Sequence, residues 1–406
     1  MAAQLDSGVD ESTVRAARLA ATGLREQRLP DAPAVVDALL AVQGQELQPA
    51  LWGLSRRVTP SARPGRAALN AALADGELLR THLLRPTWHL VRPRDARWLL
   101  ELSAPRVERL MASTERSWDL GDLGPGTDAV AAAVADGPRT RAQIKAELVA
   151  RGVLDPDAPG LAFTQMLMHA ELQRLVISGP PPVGKELQHQ SYATFDDRVP
   201  AGYGPLGERF DAEAAVVELW RRYLPGRGFA TLNDLRLWAD VTVRDLAPAL
   251  AALTDAGEVV QVAGTGDLDG LTLVATAATA ARWAGGAPPA DQGADPGADQ
   301  GADPGADPGA DRAAEDGPVA DLLQAYDELL MSYRETRHVV LDPALPPQDR
   351  AGAYVHSAAV DGVVAGRWRW PAGVGQRVDV QWLRDPAPAE RAALDAAVAD
   401  LDAYLD

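Results

Sequence analysis

Apolar residues recur three and four positions apart over long stretches, then switch to alternation, and this change of period happens several times along the chain. In the middle of the chain it predicts helices over 127–135, 138–151 and 161–175, then strands over 176–178 and 188–195 flanking a tip at 179–185. Three helices followed by a hairpin are the order of a helix-turn-helix with a wing. A second copy has helices over 212–224, 231–239 and 243–256, strands over 258–263 and 271–274, and a tip at 264–270. Because Gly264 and Gly266 lie between strands rather than before a helix, they are read as a wing tip and not as a dinucleotide loop. A less regular copy at the start has helices over 11–24, 32–42, 49–58 and 65–77, and strands over 79–84 and 87–91. Towards the end the period becomes that of strands, over 337–341, 353–360, 363–370 and 377–383. Asp361-Gly362 is placed as a two-residue hairpin turn, and a helix follows over 387–404. The expected fold is therefore α+β: three tandem winged-helix units (1–118, 119–205, 206–283), an acidic insertion (284–317) and a small β-rich C-terminal subdomain (318–406).

Composition supports several cores, since 47% of the 406 residues are hydrophobic and 24% charged. The absence of cysteine excludes disulfides, thiolate metal sites and cysteine nucleophiles. A net charge of −18 argues against a polyanionic partner until its location is considered. Residues 285–317 hold eight acids against Arg312, within five repeats of a Gly-Ala-Asp tetrad that has almost nothing to bury and reads as a disordered linker. Residues 385–406 hold six more acids against Arg391, whereas residues 54–116 hold twelve arginines against six acids. That basic block fits either a solvated helical surface or an anion-binding face. The first residues lack a secretory pattern, and the mild apolar stretch 271–284 is interrupted by Arg282. A cytoplasmic protein without a membrane segment is expected.

Familiar catalytic signatures are absent: no GxSxG elbow, phosphate loop or HExxH occurs, and the six histidines are spread too widely for a helical or finger-type zinc site. No metal or cofactor is expected. Four tryptophans, at 88, 98, 220 and 238, sit in apolar periodic runs and are read as core. The unusual feature is Gln43-Gly44-Gln45, directly after the apolar run 35–42. On a helix these two amides would diverge, but Gly44 and the nearby Pro49 favour a break, and in an extended segment residues two apart share a face. As a bare pattern this also fits a solvated helix end.

Four blocks, AVQGQELQPALWGLSRRV, LLRTHLLRPTWHLVRPRDARWLLEL, GFATLNDLRLWADVTVRDL and LLQAYDELLMSYRETR, together resemble the bacterial winged-helix DNA glycosylases of the AlkZ/YcaQ type, in family order. The resemblance implies an enzyme that holds double-stranded DNA in tandem winged helices. It also implies excision of alkylated purines, including bulky or crosslinked N7-alkylguanines made by genotoxic natural products. The family's catalytic pair falls on Gln43 and Gln45, with Gly44 in place of the usual apolar middle residue, and glutamine at 45 places the chain in the AlkZ-like branch. The family's Arg-x-Thr-x-His element falls on Arg85, Thr87 and His89, expected to support DNA or the loop. Arg56, Arg57, Arg80 and Arg85 are expected on phosphates, and Arg334 and Arg337 on the far side of the cleft. Schiff-base chemistry needs an amine, and the only lysines, Lys145 and Lys185, lie far from the glutamines, so a monofunctional, monomeric glycosylase is expected. The competing reading is a DNA-binding protein without catalysis, such as a transcriptional regulator, which three wing units in one chain and the lack of zipper heptads disfavour.

Overall fold

The computed structural model describes residues 8–26, 29–182, 190–284, 317–346, 354–371 and 378–405. The acidic tetrad repeats and residues 183–189 of the hairpin in the second unit, with Lys185, therefore lie outside the described residues.

The first unit contains helices α1 (Glu11–Ala21), α2 (Ala32–Leu39), α3 (Leu47–Ser55) and α4 (Arg66–Ala74), together with strands β1 (Ala41–Gln43), β2 (Leu79–His82) and β3 (Trp88–Val91). Asp10 and Asp31 cap α1 and α2 by accepting the N–H of Thr13 and Ala34. The expected helix 32–42 stops early because Leu40 turns to φ 61°, a left-handed conformation that redirects the chain into β1. The three strands form an antiparallel sheet in the order β1-β3-β2. A long helix absent from the sequence reading, α5 (Pro93–Ser117), then leaves the sheet.

The second unit is built from α6 (Gly124–Ala133), β4 (Arg139–Thr140), α7 (Arg141–Ala150), α8 (Gly160–Leu172), β5 (Val176–Ser178) and β6 (Ser191–Thr194), followed by the short α9 (Phe195–Arg198). Thr140 and Gln143 cap α7 reciprocally. The third unit repeats the order with α10 (Ala212–Tyr223), α11 (Leu232–Ala239), α12 (Val243–Asp255), β7 (Val259–Ala263) and β8 (Thr272–Thr276), then α13 (Ala277–Trp283). Both have the helices-then-hairpin order expected of winged helices.

The last part holds β9 (Ala320–Leu323), α14 (Glu328–Met331), β10 (Ser357–Val360), β11 (Val363–Arg369), β12 (Asp379–Trp382) and α15 (Pro388–Leu405). Its four strands form an antiparallel sheet in the order β12-β11-β10-β9. Asp361 and Gly362 both have positive φ, 48° and 76°, as a tight hairpin turn demands. One expected strand, 337–341, is instead a 3-10 turn, Arg337–Val340. Its cause lies far away: the Asp234 carboxylate accepts three successive backbone N–H groups, from Arg334, Glu335 and Thr336, at 2.8, 2.8 and 3.2 Å, and curls the chain.

The units share cores. One cluster joins Leu79, Trp98, Leu172, Trp220 and Trp238 of all three helical units. Another packs Trp52 of α3 against the C-terminal sheet and α15, with the Trp52 Nε1–H donating to Leu322 O at 2.9 Å and its ring 5.3 Å from that of Tyr404. The third unites α1 with the third unit and residues 329–340. Among the described residues no helix is long and apolar enough to cross a membrane.

Candidate functional site

The sheet of the first unit delivers Gln43 to its position. In the antiparallel register Gln43 pairs with His89 and His89 with Thr81, so the three side chains share one face. Gly44 extends the ladder by donating its N–H to Trp88 O at 2.8 Å. A Cβ at Gly44 would meet Leu90 Cγ at 3.3 Å, so the bulk of Leu90 accounts for glycine at this place. Arg80 then clamps the loop backbone, with its Nε–H on Gly44 O at 2.8 Å and Nη2 on Gln45 O at 3.1 Å, while Nη1 reaches Gln190 Oε1 of the second unit at 2.6 Å.

The two carboxamides are held by the same turn between β2 and β3. Arg85 Nη2 donates to Gln43 Oε1 at 2.7 Å, and the Trp88 backbone N–H donates to Gln45 Oε1 at 3.3 Å. Gln43 is buried at 1% exposure, whereas Gln45 is half-buried. The C-terminal part grips the Gln43 peptide from both sides: its N–H donates to Glu328 Oε1 at 2.9 Å, and its carbonyl accepts from Gln324 Nε2 at 3.0 Å. Glu328 Oε2 accepts in turn from Arg227, Trp238 and Ser332. Sequence reasoning missed Glu328; the available signal was a pair of acids, Asp327-Glu328, embedded in an otherwise apolar run.

The expected DNA-contacting residues divide. Arg85 is half-buried at the glutamine loop, and burial lowers its pKa. Arg337 is also half-buried and has its pKa lowered by burial. Arg334 and Arg85 push in the same direction, so cations from two segments far apart in the chain act on one another. Arg334 is exposed. Arg80 is buried and spent on the loop, its pKa lowered by burial to about 10, which leaves it charged at neutral pH. Arg56 and Arg57 correct the expectation. Arg57 is 2% exposed and donates to Asp327, Thr22 O and Gly53 O at 2.7 to 2.8 Å, while Arg56 pairs with Asp321 at 3.0 Å and Asp400 at 3.2 Å. Their charges are cancelled inside the protein and cannot also face phosphates. His89 is fully enclosed, with Nδ1 on Thr87 O at 3.0 Å. Burial, reinforced by Arg85, pushes its pKa down to about 3, so it supports the loop as a neutral ring and carries no charge to DNA. The Thr87 hydroxyl and His89 Nε2 are buried without a partner among the described residues.

Over residues 36–404 the sequence matches the profile of the family described as DNA glycosylase AlkZ-like. The chain belongs to this family. A solved structure, Streptomyces sahachiroi DNA glycosylase AlkZ, is similar in fold with a TM-score of 0.69 at 20% identity, covering 98% of this chain and 97% of that one. No curated protein sequence matches significantly. The protein is therefore a DNA glycosylase acting on DNA, with a fold of helices and small antiparallel sheets like that of its structural neighbour. Beside the glutamine loop, Glu46 pairs with His356 Nε2 at 3.1 Å, while His356 Nδ1 accepts the Ala325 N–H at 3.0 Å. This bond lowers the pKa of Glu46 and ties the loop to the C-terminal sheet. A cleft of about 390 Å³ opens there, bordered by Glu46, Tyr354, His356, Trp368 and Gln381.

Proposed function

We propose that this glycosylase releases purines that already carry a positive charge, N7-alkylated ones above all, by directing water at the sugar carbon. The supporting observation is that the side chain fixed at the loop is a neutral carboxamide, Gln43, held by Arg85. A carboxamide cannot protonate a leaving base, so the base must leave unaided, and an N7-alkylated guanine does so as a neutral purine once its glycosidic bond breaks. What remains for the protein is to hold water and to aim a dipole at the developing oxocarbenium ion, and two amides suffice for this.

The burial of Gln43 belongs to the free protein. A phosphate is a stronger partner for a guanidinium than an amide oxygen, so docked DNA draws Arg85 onto its backbone and uncovers Oε1 for water. Arg334 and Arg337 add to the same anion-binding side. The cleft beside Glu46 has room for a substituent on the base, which favours bulky adducts, crosslinks included, among the substrates. Among the described residues the one lysine, Lys145, is exposed on α7 of the second unit, so no lysine amine stands at the loop to form a Schiff base, which supports a monofunctional enzyme.

The test is a duplex bearing one N7-methylguanine, treated with protein and then with alkali to cut abasic sites. The wild type should break the strand at the lesion, and Gln43→Ala combined with Gln45→Ala should lower the single-turnover rate by about 100- to 1000-fold. Equal rates would reject the site. Release of uracil would reject the leaving-group argument, and a borohydride-trapped covalent complex would reject the monofunctional reading.

A further inference from the structure

We propose that Glu328 is a positioning residue for Gln43, acting through the Gln43 peptide rather than on the substrate. This rests on Gln43 being the water-orienting group. Glu328 opens α14 in the C-terminal part, 1% exposed, and its carboxylate touches three separate regions of the chain. Oε1 accepts the Gln43 N–H at 2.9 Å; Oε2 accepts from Arg227 Nη2 at 3.0 Å, Trp238 Nε1 at 3.1 Å and Ser332 Oγ at 2.6 Å.

Such a site is costly to build. A buried ion pair loses more hydration than it regains unless its remaining lone pairs are satisfied, and apolar residues of similar volume often serve stability better. Here four donors saturate the carboxylate, and the one contributed by the loop is the N–H of the proposed catalytic glutamine. With Gln324 on the carbonyl side, both polar groups of that residue's backbone are fixed. The side chain is then carried on a rigid peptide, with Arg85 covering its oxygen until DNA docks. Glu328 is also the foremost charge acting on the Arg85 guanidinium and favours its charged form. One carboxylate thus holds the peptide that aims the amide. Catalysis is sensitive to such placement: a shift of about 1 Å can cost about 100-fold in rate.

The test uses the full-length protein and the N7-methylguanine duplex. Single-turnover rates and DNA dissociation constants are measured for Glu328→Gln, Gln43→Ala and the double variant. Glu328→Gln keeps the shape but places amide hydrogens against existing donors. It should lower the rate by about 10- to 100-fold while leaving the dissociation constant within about twofold. Because the proposed effect passes through Gln43, the double variant should react no more slowly than Gln43→Ala alone. An undiminished rate for Glu328→Gln, or a double variant slowed by the product of the two single effects, overturns the proposal. If Glu328→Gln does not fold, Trp238→Phe removes one donor to the carboxylate and keeps an aromatic ring there. It should slow the reaction about threefold at unchanged affinity, and a wild-type rate there overturns the proposal equally. A wild-type rate for Gln43→Ala overturns both the loop chemistry and this role, whereas an inactive Gln43→Ala beside a fully active Glu328→Gln overturns the role alone.

Discussion

Two arginine pairs from the same basic stretch meet opposite fates. Arg56 and Arg57, at the end of α3, turn inward to Asp321 and Asp327 of the C-terminal part and become internal bolts. Arg80 and Arg85, on and just after β2, meet backbone carbonyls and side-chain amide oxygens, which orient the guanidiniums without cancelling their charge. A run of arginines in a sequence therefore says little about field strength at the surface. What matters is which carboxylates the fold brings to each guanidinium, and those lie some 270 residues away.

The comparison can be broken at its strongest point with Arg57→Met. It leaves Asp327 buried without its cation and should cost about 3 to 5 kcal/mol in urea unfolding, with the DNA affinity of the folded protein unchanged. A selective loss of DNA binding at full stability would put Arg57 back among the phosphate ligands. The converse variant, Arg85→Met, should barely move the unfolding midpoint. It should weaken DNA binding by about tenfold and lower the salt-dependence slope by about one. An unchanged slope would mean that Arg85 never leaves Gln43. The smallest effect is expected for Gly44→Ala: Leu90 must give by a few tenths of an ångström, a cost of about 1 kcal/mol, with excision within a few-fold of wild type. A larger loss of activity would show that the loop backbone, and not only its side chains, is tuned.

Local signals were read well where local forces decide. The capped helices of the third unit and the Asp361-Gly362 hairpin follow from short-range chemistry that any window of the sequence displays. The 3-10 turn at Arg337–Val340 was misread as a strand because Asp234, about a hundred residues earlier, decides its shape. The early end of α2 at Leu40 has no glycine or proline to announce it. At the site, Gln43, Gln45 and Arg85 were visible as a motif and are brought together. The inward turn of Arg56 and Arg57, and the part played by Glu328, depend on partners that only the folded chain supplies.

The grip on the Gln43 peptide spans 285 residues, which has a consequence for synthesis. At about 5 to 20 residues per second, a ribosome needs roughly 15 to 60 s between making the glutamine and making the carboxylate that secures it. Through that interval the nascent chain can fold helices, but its loop lacks its fastener. On the proposed role of Gln43, the enzyme is armed only once the chain has been made as far as Glu328.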